Sequence, residues 1–300
     1  MDGRRARAPD QLLRRLEWQV IRRLDGRLLG SYRTHFYGSG VDFADLRTYT
    51  PEDDVRHIDW NVTARLDEPY VRQYTEDREL TAWLLLDRSR SMAFGPEGRG
   101  KDVVSTELAL TLARLLVRGG NRVGAVLYDE RVERMVPPRS GRTHVLRLGH
   151  ELTRDRPVVT APGTTTDLAG LLHAALATIR RRSLVFLVSD FITVDGWERP
   201  LARLAHRHEV VAVRLVDPLE RELPEVGLIV VEDAETGEQV VADTSDPEFR
   251  RRFHAEVDAR EQALQDAVRR AGVRLHDIAT DDDLVASLVE MVRRSKRPRR

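Results

Sequence analysis

The stretch LLLDRSRSM, from Leu84 to Met92, decides how this chain is expected to fold. Three leucines lead into an aspartate, and two serines follow that aspartate at alternate positions. A short apolar run is typical of a buried strand, and alternate residues of an extended segment share one face. The stretch therefore predicts a buried strand that ends by presenting one carboxylate, Asp87, and two hydroxyls, Ser89 and Ser91, to the same side.

Outward from this stretch, apolar runs of strand length alternate with helical patterns over residues 81–292. The predicted buried strands are TAWLLLD, NRVGAVLYD, SLVFLVSD, EVVAVRLVD and VRLHDIA, and RVERMVPPR is expected at an edge because it contains two prolines. This alternation predicts an α/β fold with a mainly parallel, Rossmann-like sheet and helices on both faces. The sequence GLIVVEDAETGEQVVADT predicts a β-hairpin inserted near residues 227–243.

Three flanking segments complete the predicted organisation. Residues 1–29 carry apolar side chains at helical spacing and predict an N-terminal helix. Residues 30–80, which we call the signature block, predict loops and short strands packed on the main domain. Residues 293–300 form a basic tail, which we expect to be a solvated terminus and not a nucleic-acid contact.

The composition argues against several classes of function. The 300 residues include 49 basic and 49 acidic ones, and a net charge of zero argues against a general nucleic-acid binder. The chain has no cysteine, which excludes disulfides, thiolate metal sites and cysteine nucleophiles. We find neither a secretion signal nor an apolar run of the ~20 residues that cross a bilayer, so we expect a soluble, cytoplasmic protein without membrane contact.

Further polar residues are expected near Asp87. Asp190 and Asp217 also come directly after predicted buried strands, and the sequence GTTTDL (163–168) opens a predicted helix. The carboxyl ends of parallel strands meet at one edge of a sheet, and ligands bind there. Carboxylate and hydroxyl oxygens suit a hard cation such as Mg²⁺. Taken singly, each residue also has an ordinary interpretation, as the start of a turn, a helix N-cap or a strand end.

The combination of D-x-S-x-S, a threonine before a helix and an aspartate after a later strand resembles the von Willebrand factor A domain. Its metal-ion-dependent adhesion site would here comprise Asp87, Ser89, Ser91, Thr166 and Asp190, with Thr165 as the competitor of Thr166. The resemblance implies Mg²⁺, or Mn²⁺, held directly by the three hydroxyls, with the aspartates coordinating directly or through water. It also implies one coordination position open to a carboxylate of a partner.

The signature block carries a second and longer resemblance. Its stretches DFADLRTY, DDVRHIDW and TAR, followed by the D-x-S-x-S strand, closely resemble the domain-of-unknown-function family 58 (DUF58). One departure is Glu52, which stands where the family usually has a glycine and makes a type II turn costly. The resemblance implies an adaptor or co-chaperone that works with a MoxR-type AAA+ ATPase or with the client of that ATPase.

The role of the charged residues in the signature block has two interpretations. Their density favours a structural network of ion pairs. The alternative is a catalytic or second metal site built from Asp53, Asp54, His57 and Asp59, whose spacing matches no metal-ligand pattern.

Three functions remain for the whole chain. We expect a non-enzymatic protein-interaction module that binds a divalent cation. The alternatives are a Mg²⁺-dependent hydrolase of phosphatase or nuclease type, which would use Asp87 and Asp190 with a base from the signature block, and nucleic-acid binding through the arginine-rich faces. The sequence GPEGRGKD lacks the spacing of a phosphate-binding loop and has no Ser or Thr after Lys101, so we expect no ATPase activity.

Overall fold

The computed structural model describes residues 40–295 apart from gaps at 51–54, 56–57, 67, 78–79, 97, 155–165 and 233–238. The helix predicted within residues 1–29 and most of the basic tail lie outside the described residues. Within the signature block, β1 (Gly40–Thr48) and β2 (Tyr70–Asp77) pair antiparallel, and α1 (Trp60–Leu66) lies between them in the chain. The described part of this block thus contains short strands, as the sequence predicts.

Eight further strands follow within the described residues. They are β3 (Thr81–Asp87), β4 (Arg122–Tyr128), β5 (Val132–Arg139), β6 (Leu184–Ser189), β7 (Glu209–Val216), β8 (Leu228–Glu232), β9 (Gln239–Asp243) and β10 (Arg274–Ala279). Six of them form the central sheet, in the order β10-β7-β6-β3-β4-β5. All neighbours in this sheet are parallel except β4 and β5, which pair antiparallel. The predicted mainly parallel sheet and the predicted edge strand are therefore confirmed.

Six helices accompany this sheet in the described part of the chain. They are α2 (Lys101–Arg118), α3 (Arg142–Thr153), α4 (Leu168–Thr178), α5 (Glu198–Arg207), α6 (Pro247–Arg270) and α7 (Leu284–Ser295). Helix α2 ends at a glycine pair in which Gly120 has a φ of 81°, a left-handed conformation that glycine adopts without strain. Helix α4 ends at Thr178, two residues before a run of three arginines. The residue that follows the helix, Ile179, is extended and buried.

The two faces of the sheet each have their own core. Along β3, Leu84 and Leu86 belong to one apolar cluster, which also includes side chains of α2, α3 and α7. The intervening Trp83 and Leu85 belong to a second cluster, with side chains of α4, α5 and the end of α6. Successive residues of a strand point to opposite faces, so one strand supplies both cores. This arrangement confirms the prediction of helices on both faces.

The predicted hairpin is also present, as the antiparallel pair β8 and β9. These two strands form a separate two-stranded sheet. Ala242 is buried, whereas Leu228 is 74% exposed, Val230 62% and Val241 67%. None of the helices in the described ranges combines the length and apolar character that crossing a bilayer requires.

Candidate metal centre

Strand β3 places Asp87 at the carboxyl edge of the sheet, where it is only 2% exposed. One carboxylate oxygen, Oδ1, accepts the backbone N–H of Ser89 at 2.9 Å. The other, Oδ2, accepts the hydroxyl of Ser189, at the end of the neighbouring strand β6, at 2.6 Å. Both oxygens of this buried carboxylate are therefore held by residues of two adjacent strand ends, as a buried charge requires.

The hydroxyls of Ser89 and Ser91 lie 3.1 Å apart, and both residues are buried. They converge as the sequence predicts, but for a different reason from the one expected. Residues Arg90–Ala93 form a short 3-10 helix, with Ser89 as its N-cap. The chain thus turns directly after β3 and does not continue in extended form. It is this turn that brings the two hydroxyls together.

Strand β6 places Asp190 beside the end of β3, in a tight turn of the backbone. Asp190 is buried, and its Oδ1 accepts the N–H of Ile192 at 3.0 Å. Phe191, between them, has a φ of 61°, which is uncommon and unfavourable for a bulky residue. Its ring packs edge-on against Trp197, with ring centroids 5.6 Å apart. The turn that orients Asp190 is therefore kept in a costly conformation by the surrounding packing.

Thr166 is buried and is attached to the loop that follows Asp190. Its backbone oxygen accepts the Thr193 hydroxyl at 2.8 Å and the Val194 N–H at 3.2 Å. The next residue, Asp167, is the N-cap of α4 and accepts the N–H of Gly170 at 3.1 Å. These bonds hold the start of α4 against the end of β6. The competing Thr165 lies outside the described residues.

The electrostatics of the site reflect two buried carboxylates close together. Burial raises the pKa of Asp87 to about 6, and the nearby charge of Asp190 adds to this increase, while hydrogen bonds from Ser189 and Ser89 oppose it. Burial also raises the pKa of Tyr128, at the end of β4, to about 12, with further increases from the charges of Asp167 and Asp87. A cation at this position would relieve the repulsion between the carboxylates.

Lys101 belongs to the same site, although no motif in the sequence indicates a function for it there. It is the first residue of α2 and is 0% exposed. Its ammonium lies over the ring of Phe94, 5.8 Å from the ring centroid. The ammonium donates to Asp190 Oδ2 at 2.6 Å and to Glu220 Oε1 at 2.5 Å. The one signal in the sequence is composition, because Lys101 and Lys296 are the only lysines in a chain rich in arginine.

The third strand-end aspartate, Asp217, has a different role from Asp87 and Asp190. Its Oδ1 accepts the N–H of Leu219 at 3.0 Å, which caps a short 3-10 helix (Pro218–Glu220). Its Oδ2 accepts the hydroxyl of Thr280 at 2.7 Å. Asp217 is thus a structural cap after β7, and its backbone N–H holds the other carboxylate oxygen of Glu220, Oε2, at 3.0 Å.

We use the term rim for the residues that these contacts gather at the carboxyl ends of the strands: Asp87, Ser89, Ser91, Lys101, Thr166, Asp190, Asp217 and Glu220. Within the described part of the chain, no group of three or more His, Cys, Asp or Glu side chains is arranged to hold a metal ion. Metal binding at the rim would therefore depend on hydroxyl oxygens together with the carboxylates of Asp87 and Asp190. Buried, hard oxygen donors of this kind fit Mg²⁺ or Mn²⁺.

The fold and the rim define an α/β protein with a polar site at the carboxyl edge of its parallel sheet. The sequence matches the family described as "Protein of unknown function DUF58" over residues 45–263, and the chain belongs to that family. It is 38% identical over 290 residues to "Uncharacterized protein Rv1480" of Mycobacterium tuberculosis, covering 95% of this chain and 89% of that protein. It is 35% identical over 167 residues to "Uncharacterized protein MAV169" of Mycobacterium avium, covering 54% of this chain and 94% of that protein.

Two solved structures have a distant similarity to this chain. One is described as the conserved hypothetical protein BatB from Bacteroides thetaiotaomicron, with a TM-score of 0.44, 10% identity, and coverage of 72% of this chain and 98% of that one. The other is an aerotolerance-related membrane protein from Bacteroides fragilis, with a TM-score of 0.45, 13% identity, and coverage of 72% and 99%.

Proposed function

We propose that this protein is a non-enzymatic protein-interaction module. In this proposal the main domain is of the von Willebrand factor A type and binds Mg²⁺, or Mn²⁺, at the rim. The ligands are Asp87, Ser89, Ser91, Thr166 and Asp190. The partner is a MoxR-type AAA+ ATPase, its client protein, or both.

One observation carries the proposal. All five proposed ligands, taken from three separate stretches of the sequence, are buried at the carboxyl edge of the sheet, with exposed fractions of 2–6%. Hydroxyls and carboxylates are costly to bury, and interacting buried carboxylates at the carboxyl edge of a parallel sheet are candidates for a binding site. The pair of serine hydroxyls at 3.1 Å and the electrostatic interaction of Asp87 with Asp190 support a cation as that ligand.

The residues of the chain have separate tasks in this proposal. The hydroxyls of Ser89, Ser91 and Thr166 are direct ligands, and the two aspartates supply the negative charge, directly or through water. Hydrogen bonds from Ser189 and from the Ser89 N–H keep the Asp87 carboxylate oriented. When bound, the cation supplies an open coordination position that a carboxylate of the partner can fill. Specificity for an acidic side chain then follows from charge.

The experiment is a calorimetric titration of Mg²⁺ into the full-length chain and into Asp87→Ala and Ser91→Ala. We expect saturable binding by the wild type and at least about a tenfold loss in each variant, which corresponds to about 1.4 kcal/mol. Asp195→Ala is the matched control, because Asp195 is an exposed aspartate on the loop after β6. Equal Mg²⁺ binding by all four proteins would contradict the proposed site.

The same proteins distinguish a binding module from a hydrolase. A phosphatase or nuclease assay with Mg²⁺ is expected to show no turnover by the wild type. Turnover that depends on Mg²⁺ and is lost in Asp87→Ala would contradict a non-enzymatic role and favour a metal-bound water as nucleophile.

A further inference from the structure

Lys101 is a buried ammonium inside a site that we propose to bind a cation. The side chain is 0% exposed, whereas lysine is almost never buried unless it is paired. It is paired here with Asp190, which is itself one of the proposed metal ligands, and with Glu220. The Asp190 carboxylate is thus already paired with a positive charge that belongs to the chain.

The contacts of Lys101 explain how the rim can fold without a metal ion. Asp190 and Glu220 follow β6 and β7, and the ammonium at the start of α2 donates to both of them. Removing a cation from buried carboxylates normally leaves uncompensated charge. Here the ammonium compensates part of that charge.

The same contacts oppose metal binding. A divalent cation held beside Asp190 would share that carboxylate with the ammonium, and like charges repel more strongly in a buried site than in water. Both oxygens of Asp190 already accept a hydrogen bond: Oδ2 accepts one from the Lys101 ammonium, and Oδ1 accepts one from the Ile192 N–H. A cation therefore gains less from Asp190 than it would from a free carboxylate.

We propose that Lys101 sets the metal affinity of the rim. Its ammonium replaces part of the charge of a divalent cation, so that the site stays folded without metal and binds metal more weakly than it would without the lysine. This inference rests on the proposed function, and it adds a regulatory element to it. Because Lys101 neutralises part of the negative charge of the rim, a metal ion alone binds weakly. A partner carboxylate that coordinates the cation restores this negative charge, so metal and partner bind cooperatively.

The test compares Lys101→Met with Lys296→Met in the full-length chain. Methionine has nearly the length of lysine without its charge, and Lys296, in the basic tail, is the only other lysine of the chain. Melting temperature is measured by scanning fluorimetry with chelator and over a Mg²⁺ titration, and the Mg²⁺ dissociation constant by calorimetry. Glu220→Gln, which keeps the lysine and removes its second partner, is measured in parallel.

We expect Lys101→Met to melt below the wild type in chelator, to regain most of this difference in saturating Mg²⁺, and to bind Mg²⁺ at least about tenfold more tightly. Tighter binding and a larger metal-dependent shift are two measures of one coupling. Glu220→Gln is expected to bind Mg²⁺ more weakly than the wild type, and Lys296→Met to match the wild type. If Lys101→Met strengthens Mg²⁺ binding and Glu220→Gln weakens it, the charge of Lys101 sets the Mg²⁺ affinity of the rim.

Other results overturn the inference. If Lys101→Met loses the same melting temperature with and without Mg²⁺ and binds Mg²⁺ no more tightly than a metal-binding wild type, Lys101 is only a structural ion pair, and the proposed site survives. If neither protein responds to Mg²⁺, the proposed site itself fails. If Lys101→Met does not fold under either condition, an unchanged Mg²⁺ affinity in Glu220→Gln overturns the role of the lysine.

Discussion

The rim and the β8–β9 hairpin depart in opposite directions from the usual distribution of polar and apolar side chains. At the rim, Lys101 is 0% exposed and Asp87 is 2% exposed, although both are ionisable. On the hairpin, Leu228 is 74% exposed and Val241 67%, although both are apolar. Available partners, and not polarity alone, therefore decide which side chains are buried in these two regions. Charges at the rim are buried because hydrogen bonds within the chain compensate them.

Removing a partner inside the rim is expected to have the largest effect. Asp190→Ala takes away the carboxylate that lies 2.6 Å from the buried ammonium of Lys101. Breaking a buried ion pair on one side costs about 3–5 kcal/mol, and the Lys101 ammonium would keep only Glu220 as a partner among the described residues. Urea denaturation in the presence of chelator measures this loss. The exposed Asp195→Ala is the control, and a loss of less than 1 kcal/mol for Asp190→Ala would show that the pair is not energetically coupled to the fold.

The stability of the metal-free protein is expected to depend on pH through the buried Asp87 carboxyl. The pKa of Asp87 is raised from 3.8 to about 6, so the folded state binds more protons than the unfolded state between these values. Its contribution to stability is therefore fully present below about pH 4 and is lost as the pH rises to 6, by up to about 3 kcal/mol. Urea denaturation with chelator across this pH range measures the free energy of unfolding of the wild type and of Asp87→Asn. The difference between the two proteins should change with pH, and a constant difference would contradict the raised pKa.

Because metal ligands must be deprotonated, the same group also limits Mg²⁺ binding. The Mg²⁺-dependent increase in melting temperature is expected to be present at pH 8 and lost below about pH 6, as Asp87 becomes protonated.

A substitution at Gly170, which lies close to Tyr128 beside the rim, is expected to have an intermediate effect on stability. A methyl group on Gly170 would meet the hydroxyl of Tyr128, which is 5% exposed and donates to the Glu130 carbonyl at 3.0 Å. Gly170→Ala is expected to cost about 1–3 kcal/mol, as overpacking does elsewhere. The penalty should be smaller in a Tyr128→Phe background, because the nearest atom is then absent. Equal penalties in both backgrounds, measured by a double-mutant cycle in urea, would exclude this contact as the cause.

The hairpin is expected to give the smallest effect. Leu228→Ala removes a side chain that is already largely solvated, so the free energy of unfolding should change by no more than about 0.5 kcal/mol. The same substitution at Leu85, which is 0% exposed, should cost about 2–5 kcal/mol. A large loss at Leu228 would show that its face of the hairpin is covered in solution, and the contrast between the two regions would then disappear.

The sequence predicts the sheet well because its signal is local. Apolar runs such as TAWLLLD are long enough to define each buried strand, and the alternation along β3 serves both cores. The residues Asp87, Ser89 and Ser91 were recognisable for the same reason, since they directly follow one strand. The 3-10 turn that joins the serines was not predicted, because an alternating pattern indicates an extended segment and carries no information about a turn.

Lys101 was missed because its position depends on distant residues. Its partners Asp190 and Glu220 lie 89 and 119 positions further along the chain. Asp217 was grouped with the other strand-end aspartates, but its cap is completed by Thr280, which is 63 positions away. Which strand end meets which helix start is decided by the order of strands in the sheet, and spacing within one stretch does not contain that order.

We propose that the rim binds its partner through a divalent cation. The most direct measurement is binding of the purified chain to a MoxR-type AAA+ ATPase from the same genome, with Mg²⁺, with chelator, and with Asp87→Ala in Mg²⁺. We expect binding by the wild type in Mg²⁺, and loss of binding both in chelator and on substitution of Asp87. Binding that is equally strong in all three conditions would contradict it.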